Sequence, residues 1–137
     1  MNLITRTGNI LRRYPLSLII IAAIIYLSLF NIDSQSLPKV KNLDKFVHFC
    51  MYAGLCSIVW LEYLFTHNKL SFQKILLGAI VAPVLFSVAM ELAQALFTEH
   101  RSYDWLDILF NILGIFAATM FSLYVTRPYV LKRRGKK

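Results

Sequence analysis

Four apolar runs, at about 14–32, 46–65, 75–97 and 105–125, take up more than half of this 137-residue chain. A helix rises ~1.5 Å per residue, so runs of roughly twenty residues match the ~30 Å hydrocarbon core of a bilayer. With 58% hydrophobic and 16% charged residues, the chain holds more apolar surface than a soluble domain of this size can bury. The expectation is an all-α integral membrane four-helix bundle, one domain over 1–137, because helices satisfy their own backbone in lipid. Pro83 falls inside the third run, where the missing N–H predicts a bend.

The net charge of +8 does not point to nucleic acid, because the cations sit at the ends of apolar runs, where they meet lipid headgroups and fix orientation. With the amino terminus inside, 11 of the 15 Lys and Arg residues fall on the inner segments: Arg6, Arg12, Arg13, Lys69, Lys74, Arg127, Lys132, Arg133, Arg134, Lys136 and Lys137. Both termini are therefore expected in the cytoplasm. The first run resembles a secretory signal but is followed by no small-x-small cleavage site, so it reads as an uncleaved anchor. Cys50 and Cys56 project from different faces of one run and read as small core residues rather than a disulfide or thiolate site.

The polar residues within or beside these runs gather at the opposite, extracytoplasmic end. Ionisable groups at membrane depth are costly and are read first as functional. Asp44, His48 and Tyr52 are spaced by four and four, within about 80° of one another on a helix. Lys45 adjoins them. Glu91 and Gln94 lie one turn apart, with Ser87 one turn before Glu91. Asp104, Asp107, Asn111 and Gly114 form one stripe at the start of the fourth run, and Arg101 precedes it. Three helices thus offer polar stripes at the same end, and a pocket lined by Asp44, Lys45, His48, Tyr52, Glu91, Gln94, Arg101, Asp104, Asp107 and Asn111 is expected to open toward the outer leaflet.

Each residue also has a structural reading. Glu91, about 9 Å inside its helix end, could be an ion-pair partner of Arg101 or Lys45. His48 could hydrogen-bond a neighbour. Asp104 suits a helix N-cap, whereas Asp107, beside Asn111, suits the pocket. Arg101 could contact lipid phosphate, and Tyr103 and Trp105 suit an aromatic interface belt. Glu62 is expected at the cytoplasmic interface, near Lys69 or Lys74.

The stretch Asp44-Lys45-Phe46-Val47-His48-Phe49 with Tyr52, then Glu91-Leu92-Ala93-Gln94, then Arg101-Ser102-Tyr103-Asp104-Trp105-Leu106-Asp107 with Asn111 and Gly114, resembles the VanZ-like family over about residues 40–120. The family takes its name from a membrane protein associated with teicoplanin resistance. The resemblance implies a small multispan protein of the bacterial cell membrane. It marks these residues as family positions without giving any of them a chemical role.

Three function classes follow. The pocket could recognise an envelope amphiphile, such as a lipid-linked intermediate or a lipoglycopeptide, with membrane lipids around it. It could belong to an interfacial hydrolase or transferase, with His48 or Glu91 as general base, Asp107 orienting it or binding a metal, and Arg101 stabilising negative charge. Alternatively, the polar residues lock the helices of an accessory subunit together, at roughly 0.6 kcal/mol per interhelical hydrogen bond. No metal-ligand motif, nucleophile motif or cofactor signature stands out, and a transport path through four helices is disfavoured.

Overall fold

In the computed structural model, which describes residues 3–30, 42–99 and 102–136, every regular element is helical. Five helices follow one another: α1 (Leu3–Arg13), α2 (Pro15–Leu29), α3 (Leu43–Thr66), α4 (Phe72–Phe97) and α5 (Trp105–Arg134). Helices α3, α4 and α5 are each long and apolar enough to cross a bilayer. Their outward faces carry large exposed apolar side chains such as Phe46, Phe65, Leu77, Leu85, Leu96, Phe116 and Phe121, as a lipid-facing surface requires.

The first expected span differs from the sequence reading. Helix α2 has 15 residues, about 22 Å at the helical rise, and α1 meets it at 87°. Tyr14 breaks the helical dihedrals between them and Pro15 restarts the helix, its missing N–H costing nothing at the first position. Among the described residues there are thus three spans, or four if this bent pair makes one crossing. The end of the expected run, residues 31 and 32, lies outside the described residues.

Two widened, π-helical stretches stand before prolines: Leu76–Val81 ahead of Pro83 and Ser122–Thr126 ahead of Pro128. A proline ring clashes with the carbonyl four residues back, and a π turn moves that carbonyl aside. Pro83 is thus absorbed by a widened turn within the single helix α4. The freed carbonyl of Ala79 gains another donor, the Cys56 thiol at 3.1 Å. Both cysteines are free thiols; Cys56 is buried, as a small core residue should be, whereas Cys50 is exposed on the outer face of α3 and is not part of the core.

The tightest packing joins α3 to α5. A Cβ on Gly114 would lie 2.4 Å from the carbonyl oxygen of Phe49 and 3.1 Å from the amide of Ala53, so only glycine admits this approach. Below the crossing lie Tyr52, Leu55, Cys56, Trp60, Ile115 and Ala118, all buried.

Candidate functional site

At the amino-terminal ends of α3 and α5 the polar stripes do meet. Lys45 Nζ donates to Asp104 Oδ2 at 2.9 Å and to Asp107 Oδ1 at 3.2 Å. The other oxygen of Asp107 stands 3.6 Å from His48 Nε2, and Asp44 Oδ1, one turn before His48, lies 3.9 Å from the same nitrogen. On the other side of the ring, Nδ1 is 3.2 Å from Asn111 Oδ1 and 3.7 Å from Glu91 Oε1. Asn111 Nδ2 in turn donates to Ser87 Oγ at 2.9 Å. His48 is therefore the hub, with α3, α4 and α5 each supplying neighbours.

The gradient of burial runs inward from Asp44, whose side chain is 52% exposed, to His48, Glu91, Asp107, Asn111 and Ser87, all buried. Asp104 closes the outer edge. Its Oδ1 accepts the Leu106 amide at 2.9 Å, so it is the N-cap that its position suggested. The Lys45 ammonium, followed by the Leu106 amide, holds its carboxyl below the ordinary value of 3.8.

The remaining predicted residues fall out differently. Tyr52 is buried beside the cluster, its ring 6.1 Å from that of Phe86. Its hydroxyl, near Ser87 and Glu91, makes no hydrogen bond of good geometry. Gln94 turns toward α2, donating to the Ser28 carbonyl at 3.2 Å, and so ties the end of α2 to α4. Arg101 lies outside the described residues, as does any pairing of it with Glu91. The alternative pairing of Glu91 with Lys45 gives way to the contacts of Lys45 with the two aspartates. Tyr103 and Trp105 are exposed at the same end.

Ser87, noted in the sequence only for its spacing from Glu91, is fully buried and anchors Asn111. Asp44, His48 and Asp107 each present one ligand atom, all within 4.8 Å of one another, a donor set of the kind that takes a divalent cation.

Glu62 requires a correction. It does not reach an interface beside Lys69 or Lys74 but is buried at the start of α2. Oε1 accepts the Leu16 amide at 2.7 Å, and Oε2 accepts the Ser17 amide at 3.1 Å and the Ser17 hydroxyl at 2.5 Å. The first amides of a helix lack internal partners and carry positive potential, so a carboxylate from another helix satisfies both needs. Pro15 beginning an apolar run, with Ser17 inside it, is the signal that such an acceptor was needed.

A family profile described as VanZ/LLP1 matches residues 3–126. The chain belongs to that family. The match takes in α1 and α2 as well as the three motif-bearing helices, so the bent pair is part of the family unit. Neither curated proteins nor solved structures yield a match. Among its described residues this VanZ-like protein carries its acidic and imidazole groups mainly at one end of the bundle, with Glu62 the buried carboxylate at the other.

Proposed function

We propose that the His48 cluster is a headgroup-recognition site for an envelope amphiphile, a lipid-linked intermediate or a lipoglycopeptide, whose chain lies against the apolar flanks of α3, α4 and α5. The observation that carries this reading is that ionisable groups from three helices face one another at one end of the bundle, His48, Glu91 and Asp107 buried among them, in a chain whose outer surface is built for lipid. Asp44, Lys45, His48, Tyr52, Glu91, Asp104, Asp107 and Asn111 form the site, with Gln94 at its α2 edge; Arg101, outside the described residues, is a further candidate from its position in the sequence. The unpartnered Tyr52 hydroxyl supplies a buried group that a ligand would satisfy. Four carboxylates against Lys45 and His48, among the described residues, favour a headgroup rich in amine or hydroxyl donors over a bare phosphate.

The membrane is the bacterial cytoplasmic membrane, with the cluster on the outer side and both termini in the cytoplasm, as the Lys and Arg bias supports. A cysteine introduced at Ser102 is then labelled from outside intact cells only. Protection from outside, with labelling from the cytoplasm, reverses the orientation. Through the family's association, the ligand class extends to teicoplanin-type lipoglycopeptides.

Native mass spectrometry of gently purified wild type beside Glu91→Ala, matched for folded amount, tests the ligand reading. A discrete lipid adduct lost in the variant supports it, and identical bare spectra with a less stable variant favour helix-locking instead. A second reading, interfacial hydrolysis or group transfer, rests on the Asp44, His48 and Asp107 donor set. There Asp44, His48 and Asp107 would hold a cation with Glu91 as general base, or, with no cation, His48 would be the general base and Asp107 would orient it. Either version requires turnover of the co-purified lipid that His48→Gln strongly reduces; loss of turnover with a chelator selects the first.

A further inference from the structure

Helix α1 is unlike the others: no residue in it is buried against the protein. Leu3, Ile4, Ile10 and Leu11 are 84%, 86%, 52% and 50% exposed. An 11-residue helix is marginal in water on its own, so a segment that buries no side chain against the protein needs another medium. The sequence specifies which one. At ~100° per residue, Leu3, Ile4, Ile10 and Leu11 fall within an arc of about 120°, and Arg6, Arg12, Arg13, Thr5 and Asn9 fall within an opposite arc of about 120°.

The corner with α2 gives the orientation. Because α1 lies at 87° to α2, an α2 aligned with the other apolar helices sets α1 parallel to the membrane plane. The corner is fixed from inside by Glu62, whose carboxylate grips the Leu16 and Ser17 amides just past the bend. Nearby, Arg134 closes the carboxyl end of α3, donating to the carbonyls of Leu64, Phe65 (2.9 Å) and His67 (3.1 Å). Lys132 and Arg133 precede it in the last turn of α5. The α1 corner thus sits at the cationic end of the bundle, remote from His48.

We infer that α1 is a membrane-surface helix, its Leu3, Ile4, Ile10 and Leu11 face sunk among acyl chains and its Arg6, Arg12 and Arg13 face bound to anionic lipid headgroups. Perpendicular geometry, segregated faces and basic charge all select a lipid surface over a protein partner. This inference does not depend on what the His48 cluster binds.

The test uses the full chain in lipid nanodiscs, of phosphatidylcholine alone or with phosphatidylglycerol, carrying Cys50→Ser so that only buried Cys56 remains. A nitroxide placed in turn at residues 3–13 reports accessibility to oxygen and to a water-soluble nickel chelate. The expected result is an oscillation of period near 3.6, with residues 3, 4, 10 and 11 oxygen-accessible at a depth of ~5–10 Å and residues 6, 9, 12 and 13 chelate-accessible. Uniform chelate access, or an apolar face shielded from both reagents by a second copy or another protein, overturns the inference. Anionic lipid is expected to deepen the apolar face, and combined Arg6→Gln, Arg12→Gln and Arg13→Gln to abolish the difference between the two lipids. A difference that survives the triple change refutes headgroup binding by these arginines.

Discussion

The two ends of this bundle bury charge in opposite ways. At the α1 corner, buried Glu62 meets two backbone amides and a hydroxyl, and half-buried Arg134 meets backbone carbonyls and the Asn68 amide oxygen: each ion completes a helix end and sits where the helix dipole favours it. At the other end, His48 stands 3.6–3.9 Å from three carboxylates, beyond ordinary hydrogen-bond length, and Lys45 divides its donors between two aspartates. A buried charge is therefore not by itself a functional mark. The distinction lies in its partners: Glu62 is held by backbone and hydroxyl donors at a helix start, whereas His48 is ringed by carboxylates, the arrangement on which the proposed ligand site rests.

The largest stability effect is expected from Glu62→Ala, which strands two amides and a hydroxyl in the interior. Hydrogen bonds to a charged acceptor suggest a loss of ~3 kcal/mol, read as a fall in monodisperse protein after heating in mild detergent. Little change would erase the contrast between the two ends.

Gly114→Ala comes next. Its methyl overlaps the Phe49 carbonyl, so α3 and α5 must part, at about 1–3 kcal/mol. Asn111 and Asp107 lie one and two turns away on the same helix, so adduct retention in native mass spectra is expected to fall with stability. Retained adduct at reduced stability would show that the cluster tolerates a shifted helix crossing.

Asp104→Ala is smaller, roughly 1 kcal/mol for a lost cap. The carboxyl of Asp104 titrates lower in the folded state than its ordinary 3.8. Its contribution is thus fully present above that value and fades as pH falls through the lower folded value. The gap between the melting curves of wild type and variant is expected to narrow as pH falls below 3.8; a gap that stays constant would assign the effect to something other than this carboxylate.

Much of this was legible in the chain. Helices α3, α4 and α5 cover the last three apolar runs, since length and hydropathy suffice in lipid. Spacing along each helix put His48, and Asp107 with Asn111, on polar stripes at a shared end, and the packing of α3 on α5 brings them together. What spacing could not show was direction across helices. Gln94 shares a stripe with Glu91 yet turns to Ser28, because α2 packs on that side of α4. Glu62 looked like an interfacial residue because the donors that need it lie 45 residues away, at the start of α2. The bend at Tyr14 was equally hidden, because an apolar run opening on Tyr14 and Pro15 looks the same whether the helix before it continues straight or turns away.

The most direct test sets the two isosteric substitutions Glu62→Gln and Glu91→Gln side by side in the same nanodiscs and measures thermal unfolding. Glu62→Gln should lower the midpoint by roughly 5–10 °C, whereas Glu91→Gln should leave it unchanged or raise it, since a site kept for function is not optimised for stability. A drop for Glu91→Gln as large as that for Glu62→Gln would make the His48 cluster helix-locking architecture and contradict its assignment as a ligand site.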